Sequence, residues 1–358
     1  MSGANDQAGL SEILTLTVYF AERQRSGDRF LAEAMLDLFG QRRIATSVML
    51  RGIAGFGPGH LIRSDRSLSL SEDPPVMLSA IDTAQRIGAL AEEVAARVDR
   101  GVITVERGHL APGLLSDAQT VRLSLHVGRR RRIAGAPGYI AVCAVLRRHG
   151  FAAADVYLGV DGTVAGQRRR AQFFSRNADV PVQVAGIGTA AQAEAAVDEL
   201  RTMLADATFT VEPTVVCKTE GRRRADPTVA GGPFCRLAVH TAESSRHDGR
   251  PIHRALIQRL KDAEHASGAT ALRAIWGFRG AERPHGDRFL QLVRHVPVTT
   301  VIVDRTENIA ACYPIVDELT AHEGLVTCDV LPALLEVHTG RWHGTLDVED
   351  DSPRGPEG

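Results

Sequence analysis

Val48-Met49-Leu50-Arg51-Gly52-Ile53-Ala54-Gly55-Phe56-Gly57 decides how this chain is read. Val48 to Leu50 is an apolar run of strand character. It enters three glycines and ends at Pro58-Gly59. Glycine serves where φ must turn positive or where a backbone must come close to another group. The stretch therefore reads as a strand that becomes a mobile or ligand-approaching loop. Weaker copies follow at Val156-Tyr157-Leu158-Gly159-Val160-Asp161-Gly162 and at Leu272-Arg273-Ala274-Ile275-Trp276-Gly277-Phe278-Arg279-Gly280. Matching Gly52 to Gly159 and Gly159 to Gly277 gives offsets of 107 and 118 residues. A spacing near that length points to an array of domains.

The order of elements repeats with the glycines. Leu14, Leu16, Val18 and Phe20 alternate with Thr15, Thr17 and Tyr19, the pattern of a half-buried strand. Asp28 reads as a helix N-cap, and Phe30, Leu31, Ala34, Met35, Leu38 and Phe39 follow helical spacing. Gly40 is the expected stop, with Arg43 as the farthest end. After the glycine strand, His60 to Leu70 reads as a return strand, Ser71 to Pro74 as a turn and Val76 to Ile81 as a strand. Ile87, Leu90, Ala91, Val94 and Val98 make a second amphipathic helix, and Val102 to Val105 closes the unit. Strand, helix, two strands, helix, strand is the ferredoxin-like plan, an antiparallel sheet with two helices on one face.

The same order recurs twice. Leu123, Leu125 and Val127, then Tyr139, Val142, Cys143 and Leu146, then Pro181-Val182, Ala196, Val197, Leu200 and Leu204, and Thr210-Val211-Glu212 trace a second copy. Leu237 and Val239, Ile252, Ala255, Leu256 and Leu260, Pro297-Val298, Ile309, Cys312, Val316 and Leu319, and Gly324 to Asp329 trace a third. The expected fold class is α+β, three tandem ferredoxin-like units at 12–112, 120–217 and 234–336. Ala111–Thr120 and the basic, glycine-rich Lys218–Pro233 read as flexible linkers. The tail after Leu335, with Arg341-Trp342-His343, is expected to add a short strand or cap the third unit.

The 358 residues carry a net charge of −1, so no global field points to nucleic acid or membrane. Five cysteines without a Cys-x-x-Cys pair argue against a disulfide framework or zinc ribbon and for a reducing cytoplasm. No apolar run approaches a membrane span, and the start shows no secretion signal. Met1–Ala8 and Asp350–Gly358 read as loose tails. His240, His247 and His253 cluster in sequence without a metal-binding spacing. No nucleophile elbow or G-x-x-x-x-G-K-[ST] loop is present. No catalytic residue, metal site or cofactor is therefore expected.

Arg51-Gly52-Ile53-Ala54-Gly55-Phe56-Gly57, Tyr19-x-x-Glu22, Ser71-Glu72-Asp73-x-Pro75-Val76, Asp82 and Gly101-Val102-Ile103-Thr104 make the first unit resemble the PII-like family called domain of unknown function 190. The third unit resembles it through Glu243, Gly249-Arg250-Pro251-Ile252, Gly277, Gly280, Pro297-Val298 and Asp304. The second unit keeps Gly159, Gly162 and Pro181-Val182 but has Arg129 where Glu22 stands and Gly188 where Asp82 stands. The wider family looks like PII signalling proteins, trimers that hold small ligands in clefts between subunits at the base of a long loop. The resemblance implies a non-enzymatic sensor in which a small or anionic ligand orders the loop Gly52–Ser64. That loop then regulates a partner, a membrane transporter or an enzyme. Ala95–Gly101 lacks the glycine-rich phosphate loop of nucleotide-binding PII, which argues against ATP.

The candidate ligand residues are Glu22, Arg51, Gly52, Gly55, Phe56 and Gly57 in the first unit and Glu243, Arg273, Gly277 and Gly280 in the third. Each has a structural alternative. The glycines serve as turn residues, Phe56 as core, the arginines as exposed strand ends, and the glutamates as partners for an arginine of a neighbouring unit. Asp82 and Asp304 read as caps of the second helices. The runs Arg129–Arg132, Arg168–Arg170 and Arg222–Arg224 offer the alternative function, a nucleic-acid patch, but lack interleaved aromatics and read as solvated loop charge. Tethering raises the effective concentration of each unit for the next. The three units are therefore expected to close into a pseudo-threefold ring within a monomer.

Overall fold

A computed structural model describes residues 12–64, 73–110, 115–170, 180–205, 207–280, 285–286 and 296–348. The sequence tails, residues 65–70 of the expected return strand, Ser71 and Glu72 of the turn after it, and 111–114 of the first linker lie outside the described residues. The chain is α+β, with mostly antiparallel strands and three tandem units.

The first unit runs β1 (Glu12–Ala21), α1 (Leu31–Gln41), β2 (Thr46–Arg51), β3 (Ala54–Phe56), β4 (Arg63–Ser64), β5 (Pro75–Thr83), α2 (Ala84–Ala95) and β6 (Arg100–His109). The second runs β7 (Thr120–Gly128), α3 (Gly138–Arg148), β8 (Ala153–Leu158), β9 (Asp161–Val164), β10 (Gln167–Arg170), β11 (Pro181–Thr189), α4 (Ala190–Met203) and β12 (Thr208–Pro213). After β13 (Val215–Thr219), the third runs β14 (Phe234–Ala242), α5 (Ile252–Ala263), β15 (Ala269–Arg273), β16 (Trp276–Arg279), β17 (Pro297–Arg305), α6 (Thr306–Leu319) and β18 (Leu325–Leu331). Each unit has the same sheet order: β2-β5-β1-β6, β8-β11-β7-β12 and β15-β17-β14-β18. The apolar face of each sheet meets its own two helices. Leu14, Leu16, Val18 and Phe20 join Leu31, Met35 and Phe39 of α1 and Ile87, Leu90 and Val94 of α2 in one core. Equivalent cores stand in the other units.

The alternation in β1 suggested a solvated second face. That face is also buried, because the three sheets turn it toward one another. Thr17 is 3 % exposed and shares a hydrogen bond of 3.0 Å with Ser79, so its polarity is satisfied inside.

The units join in a cycle. β9 pairs with β2, β16 with β8, and β3 with β15. The same bond opens each seam: Val160 N donates to Met49 O (2.9 Å), Ile275 N to Val156 O (2.8 Å) and Ile53 N to Ala271 O (2.8 Å). The connecting segments cross over as well. Residues 218–233, expected as a free linker, instead continue β13, which pairs with β18 at the edge of the third sheet, and then form a short hairpin and a 3-10 turn. The tail joins the first unit, not the third. β19 (Ala333–His338) pairs with β6, and β20 (Arg341–Thr345) pairs with β19. An uncovered strand edge is a template for foreign pairing, and these segments cover two of them.

Local expectations shift in three places. α1 begins after Phe30 with no side-chain cap, so Asp28 is not its cap, and the helix passes Gly40 to end at Gln41. Asp82 and Asp304 do not cap helices. Asp82 accepts from Ala45 N (2.9 Å) and Thr83 N (2.8 Å), and Asp304 from Ser267 N (2.7 Å) and Arg305 N (2.7 Å). Each carboxylate thus ties the end of one strand to the start of its neighbour, where the backbone donors would otherwise be unpaired. In the second unit the Phe151 ring fills the space beside Gly188.

Candidate functional site between the first and third units

The glycine stretch does not form a free loop. Gly52 N donates to Pro75 O (2.7 Å), Gly159 N to Pro181 O (2.9 Å) and Ala274 N to Pro297 O (2.8 Å). Gly52 and Gly159 therefore correspond to Ala274, and Gly277 corresponds to Gly55 and Gly162. The glycine match drawn from sequence is three residues out of register in the third unit. At the corrected position all three glycines face a neighbour's carbonyl. A Cβ on Gly55, Gly162 or Gly277 would lie 2.6 Å from Ala269 O, 2.1 Å from Ser47 O or 2.4 Å from Ala154 O. These glycines are spent on close approach between units.

The paired charges are also placed otherwise than expected. Arg51 Nη2 lies 2.7 Å from Glu22 Oε2, and Arg273 Nη2 lies 2.7 Å from Glu243 Oε1. Each glutamate meets the arginine of its own unit, because the ends of the first and second strands flank the same third strand. In the second unit Arg129 and Leu158 hold these positions, and the pair is lost. Gly280 N donates to Ala152 O at 2.8 Å.

Phe56 and Gly57 lead into a cavity of about 580 Å³ between the first and third units. That volume lies in the ~300–1,000 Å³ range of small-molecule sites. Its floor is apolar: Phe20, Phe56, Pro75 and Val102 from the first unit, Val301 and Val303 from the third. Its polar residues are Tyr19, Arg23, Gln24, Arg63, Asp73, Asp99, Arg100 and Thr270. The loop after Gly57 roofs it. His60 N donates to Gly57 O (2.8 Å), and the His60 ring stacks on Phe56 with centroids 5.7 Å apart. β4 pairs back onto β3 and brings Arg63 in, where Asp73 bonds its guanidinium; Asp73 also accepts from Arg23 N (2.7 Å). Burial, and then the charge of Arg100, holds the Arg63 pKa below its ordinary value. The wall carries three guanidiniums against two carboxylates, one positive charge in excess.

Of the ten residues nominated from sequence, the cavity takes Phe56 and Gly57. The rest lie on seams or in same-unit ion pairs. Sequence reading missed Arg63, Arg100, Asp99, Val301 and Val303. Asp73 stood in the quoted motif, and its carboxylate was the readable signal. Arg63 and Arg100 come together only through the fold.

In the second unit the described part of the corresponding loop forms the β9–β10 hairpin. Arg168 pairs with Asp161 (2.7 Å) and with Asp37 of the first unit, and Arg170 with Glu33 of the first unit (2.7 Å). Arg168 and Arg170 thus make ion pairs with the first unit, while Arg169 and Arg170 stay exposed, as the reading of solvated charge expects.

The facing sheets enclose a second polar region. Glu106, Glu212 and Asp329 occupy one register position on the three closing strands, opposite Thr15, Arg122 and Arg236. Arg236 reaches Glu106 (2.7 Å) and Asp329 (2.9 Å through Nε), and Arg122 binds Glu106 and lies 3.6 Å from Glu212. Three acids share two guanidiniums because Thr15 stands where the third would be. Burial raises the Glu212 pKa above its ordinary value, with the Glu106 charge adding to it. Nearby, Asp155 accepts from Arg279 (3.0 Å) and lies 3.0 Å from His240 Nδ1. Burial opposes its ionisation, but Arg279 and His240 outweigh that and hold it at about 2. Burial lowers His126 to about 4. Among the described residues, no three His, Cys, Asp or Glu side chains form a metal-binding group, and no helix is long and apolar enough to cross a membrane.

Fold and site together define a chain of three repeated α+β units whose seams are ladders and whose first–third seam holds a cavity. Residues 13–110, 120–216 and 234–332 each match the family DUF190, domain of unknown function 190, described as an uncharacterized ACR. The chain belongs to this family, in three tandem copies. Among solved structures, an unknown protein from Galdieria sulphuraria is similar at 11 % identity, over 57 % of this chain and 99 % of that one, with a TM-score of 0.20.

Proposed function

We propose that the protein is a single-chain PII-like sensor. Its three units are ferredoxin-like, and their cyclic seams make a pseudo-trimer within one cytoplasmic chain. A small anionic molecule binds in the first–third cleft and orders the loop after Gly57, which then acts on a partner protein, a membrane transporter or an enzyme. The observation that carries this reading is the cavity itself. It has an apolar floor, an excess of guanidinium over carboxylate, and a roof made by the loop that would signal. Arginine binds carboxylate and phosphate with a planar fork of donors, so Arg63 and Arg100 are the groups that would hold the ligand's charge. The nucleic-acid alternative loses support, because Arg168 and Arg170 are spent on ion pairs with the first unit.

The test is a thermal-shift screen of the full chain against inorganic phosphate, di- and tricarboxylates, cyclic nucleotides, ADP and ATP. A ligand that binds only the folded state raises Tm by mass action. The expected result is a rise with at least one anion that disappears in Arg63→Ala/Arg100→Ala. A rise of equal size in that variant, or none with any anion, overturns the reading.

A further inference from the structure

The ladders of the second unit set a row of polar side chains on the face it turns inward. Arg122, Ser124 and His126 alternate onto that face of β7. Arg122 stands opposite Glu212, Ser124 opposite Thr210 and Ala185, and His126 opposite Gln183. Facing residues of this kind hold their Cβ atoms about 4.5–5.5 Å apart. The row lines a second cavity, of about 70 Å³, bounded by all three units, and Tyr19 of the first unit lines it too. Arg122 Nε, the hydroxyls of Ser124, Thr210 and Tyr19, both ring nitrogens of His126, Gln183 Oε1 and Glu212 Oε2 have no hydrogen-bond partner among the described residues. The other units leave no such row. Where the second has Ser124 facing Ala185, the first has Thr17 bonded to Ser79 and the third has Ala238 facing Val301. Buried polar atoms almost always have partners, so this row marks a place for a guest.

The donor inventory selects the guest. Arg122 Nε–H can only donate, and the three hydroxyls rotate to donate. Neutral His126 presents one N–H. Burial favours the protonated form of Glu212, whose Oε2–H then donates as well. The Gln183 amide offers its nitrogen after a half-turn. On the wall, Arg122 and Arg236 stand against one carboxylate, Glu212, while Glu106 and Asp329 pair with these guanidiniums from outside the lining. We infer that the central cavity binds one small inorganic anion, a halide or an ion of that size, held by Arg122, Ser124 and His126 with Tyr19 completing the shell. The void is several times the ~10–15 Å³ that one water needs, so the ion has room beside a few waters.

Charge adds a condition. Arg122, Arg236 and Arg279 balance Glu106, Asp329 and Asp155 when Glu212 is protonated. Burial keeps the Tyr19 and Tyr157 hydroxyls protonated, so neither adds charge. An anion is then offset by a proton on His240, whose unpartnered Nε2 is on the wall and whose Nδ1 lies 3.0 Å from Asp155. The anion therefore binds with a proton, and more tightly as pH falls.

The test is to refold and crystallise the full chain in sodium bromide and locate the ion by anomalous scattering at the bromine edge. The expected result is one bromide peak in the central cavity, weaker in crystals grown at higher pH. Tyr19→Phe and Ser124→Ala each remove a donor and should each lower its occupancy, and the double variant should lose it. If the double variant does not fold, the second readout is Tm in chloride against gluconate at equal ionic strength, measured in Arg63→Ala/Arg100→Ala so that the cleft does not contribute. Chloride should raise Tm, by more as pH is lowered. No peak in this cavity, a peak of equal occupancy in the folded double variant, or equal Tm in the two salts overturns the inference and leaves a water-filled cavity. The cleft screen turns on Arg63 and Arg100, which do not line this cavity, so the two readings fail independently.

Discussion

Gly162→Ala tests whether the ladders between units hold the ring together. The new Cβ would lie 2.1 Å from Ser47 O and 2.7 Å from Pro181 Cγ. Gly162 is not among the residues of positive φ, so alanine is not penalised for its backbone, and the cost is one of space. The carbonyl it meets belongs to β2, which pairs with β9 from Thr46 to Met49. It cannot retreat without loosening that ladder. Overpacking costs about 1–3 kcal/mol, and each hydrogen bond lost adds about 1 kcal/mol. The expected destabilisation is about 3 kcal/mol, a fall in Tm on the order of 5–10 °C. Gly57→Ala is the control, because nothing lies within 4 Å of a Cβ there. The assay is thermal denaturation by circular dichroism, with hydrogen exchange to place the damage on β2 and β9. Equal Tm values for the two variants, or exchange unchanged at the seam, would refute the argument that close approach between units is why this glycine is there.

The remaining predictions concern other parts of the ring. The pKa of Asp155 in the folded chain, about 2, lies below its ordinary 3.8, so its stabilisation is present above pH 3.8 and is lost as pH falls toward 2. That linkage amounts to about 2 kcal/mol, and Asp155→Asn should lower stability at neutral pH and flatten the acid slope in that window. For the loop after Gly57, amide exchange at Gly59–Ile62 should be much faster than at Val48–Leu50 in the unliganded protein; comparable protection would count against a ligand-ordered loop. Light scattering should return the mass of one chain, and a stable trimer of chains would sink the closed ring. Truncation after Leu331 removes the cover from β6 and should give concentration-dependent association, measurable by sedimentation.

The repeated unit was legible because its signals are local. The alternating apolar residues of β1 and the helical spacing of Ile87, Leu90 and Val94 fix elements from their own neighbours in sequence. The Pro-Val starts of three strands did the same for register. What stayed hidden depends on partners far along the chain. Tyr19 looked like an outward residue because alternation marks two faces and does not say what the second one meets. Gly277 was matched to Gly52 because both follow an apolar strand. Only the bonds of Gly52 and Ala274 to Pro75 and Pro297 show the true correspondence. Lys218–Pro233 has a linker's composition, yet Lys218 Nζ bonds Asp317 O at 2.6 Å and is buried. The cavity beside Gly57 takes its charge from residues that no motif joins, Arg63 and Arg100 among them.

Covalent closure explains why the three seams differ. In a ring of identical chains, any residue placed at one seam stands at all three, and a side chain on the axis meets its own copies. Here the position of Tyr19 is histidine in the other units, and the third guanidinium of the acid cluster is replaced by Thr15. One seam carries Asp155 with His240 and Arg279, where the equivalent strand position is Val48 or Thr270. One loop is clamped by Arg168 and Arg170, while another roofs a cavity. None of these assignments is available to three copies of one sequence. The tethers that keep the units together, β13 on the third sheet and β19 on the first, are therefore what allows a repeated unit to hold a different chemistry at each seam.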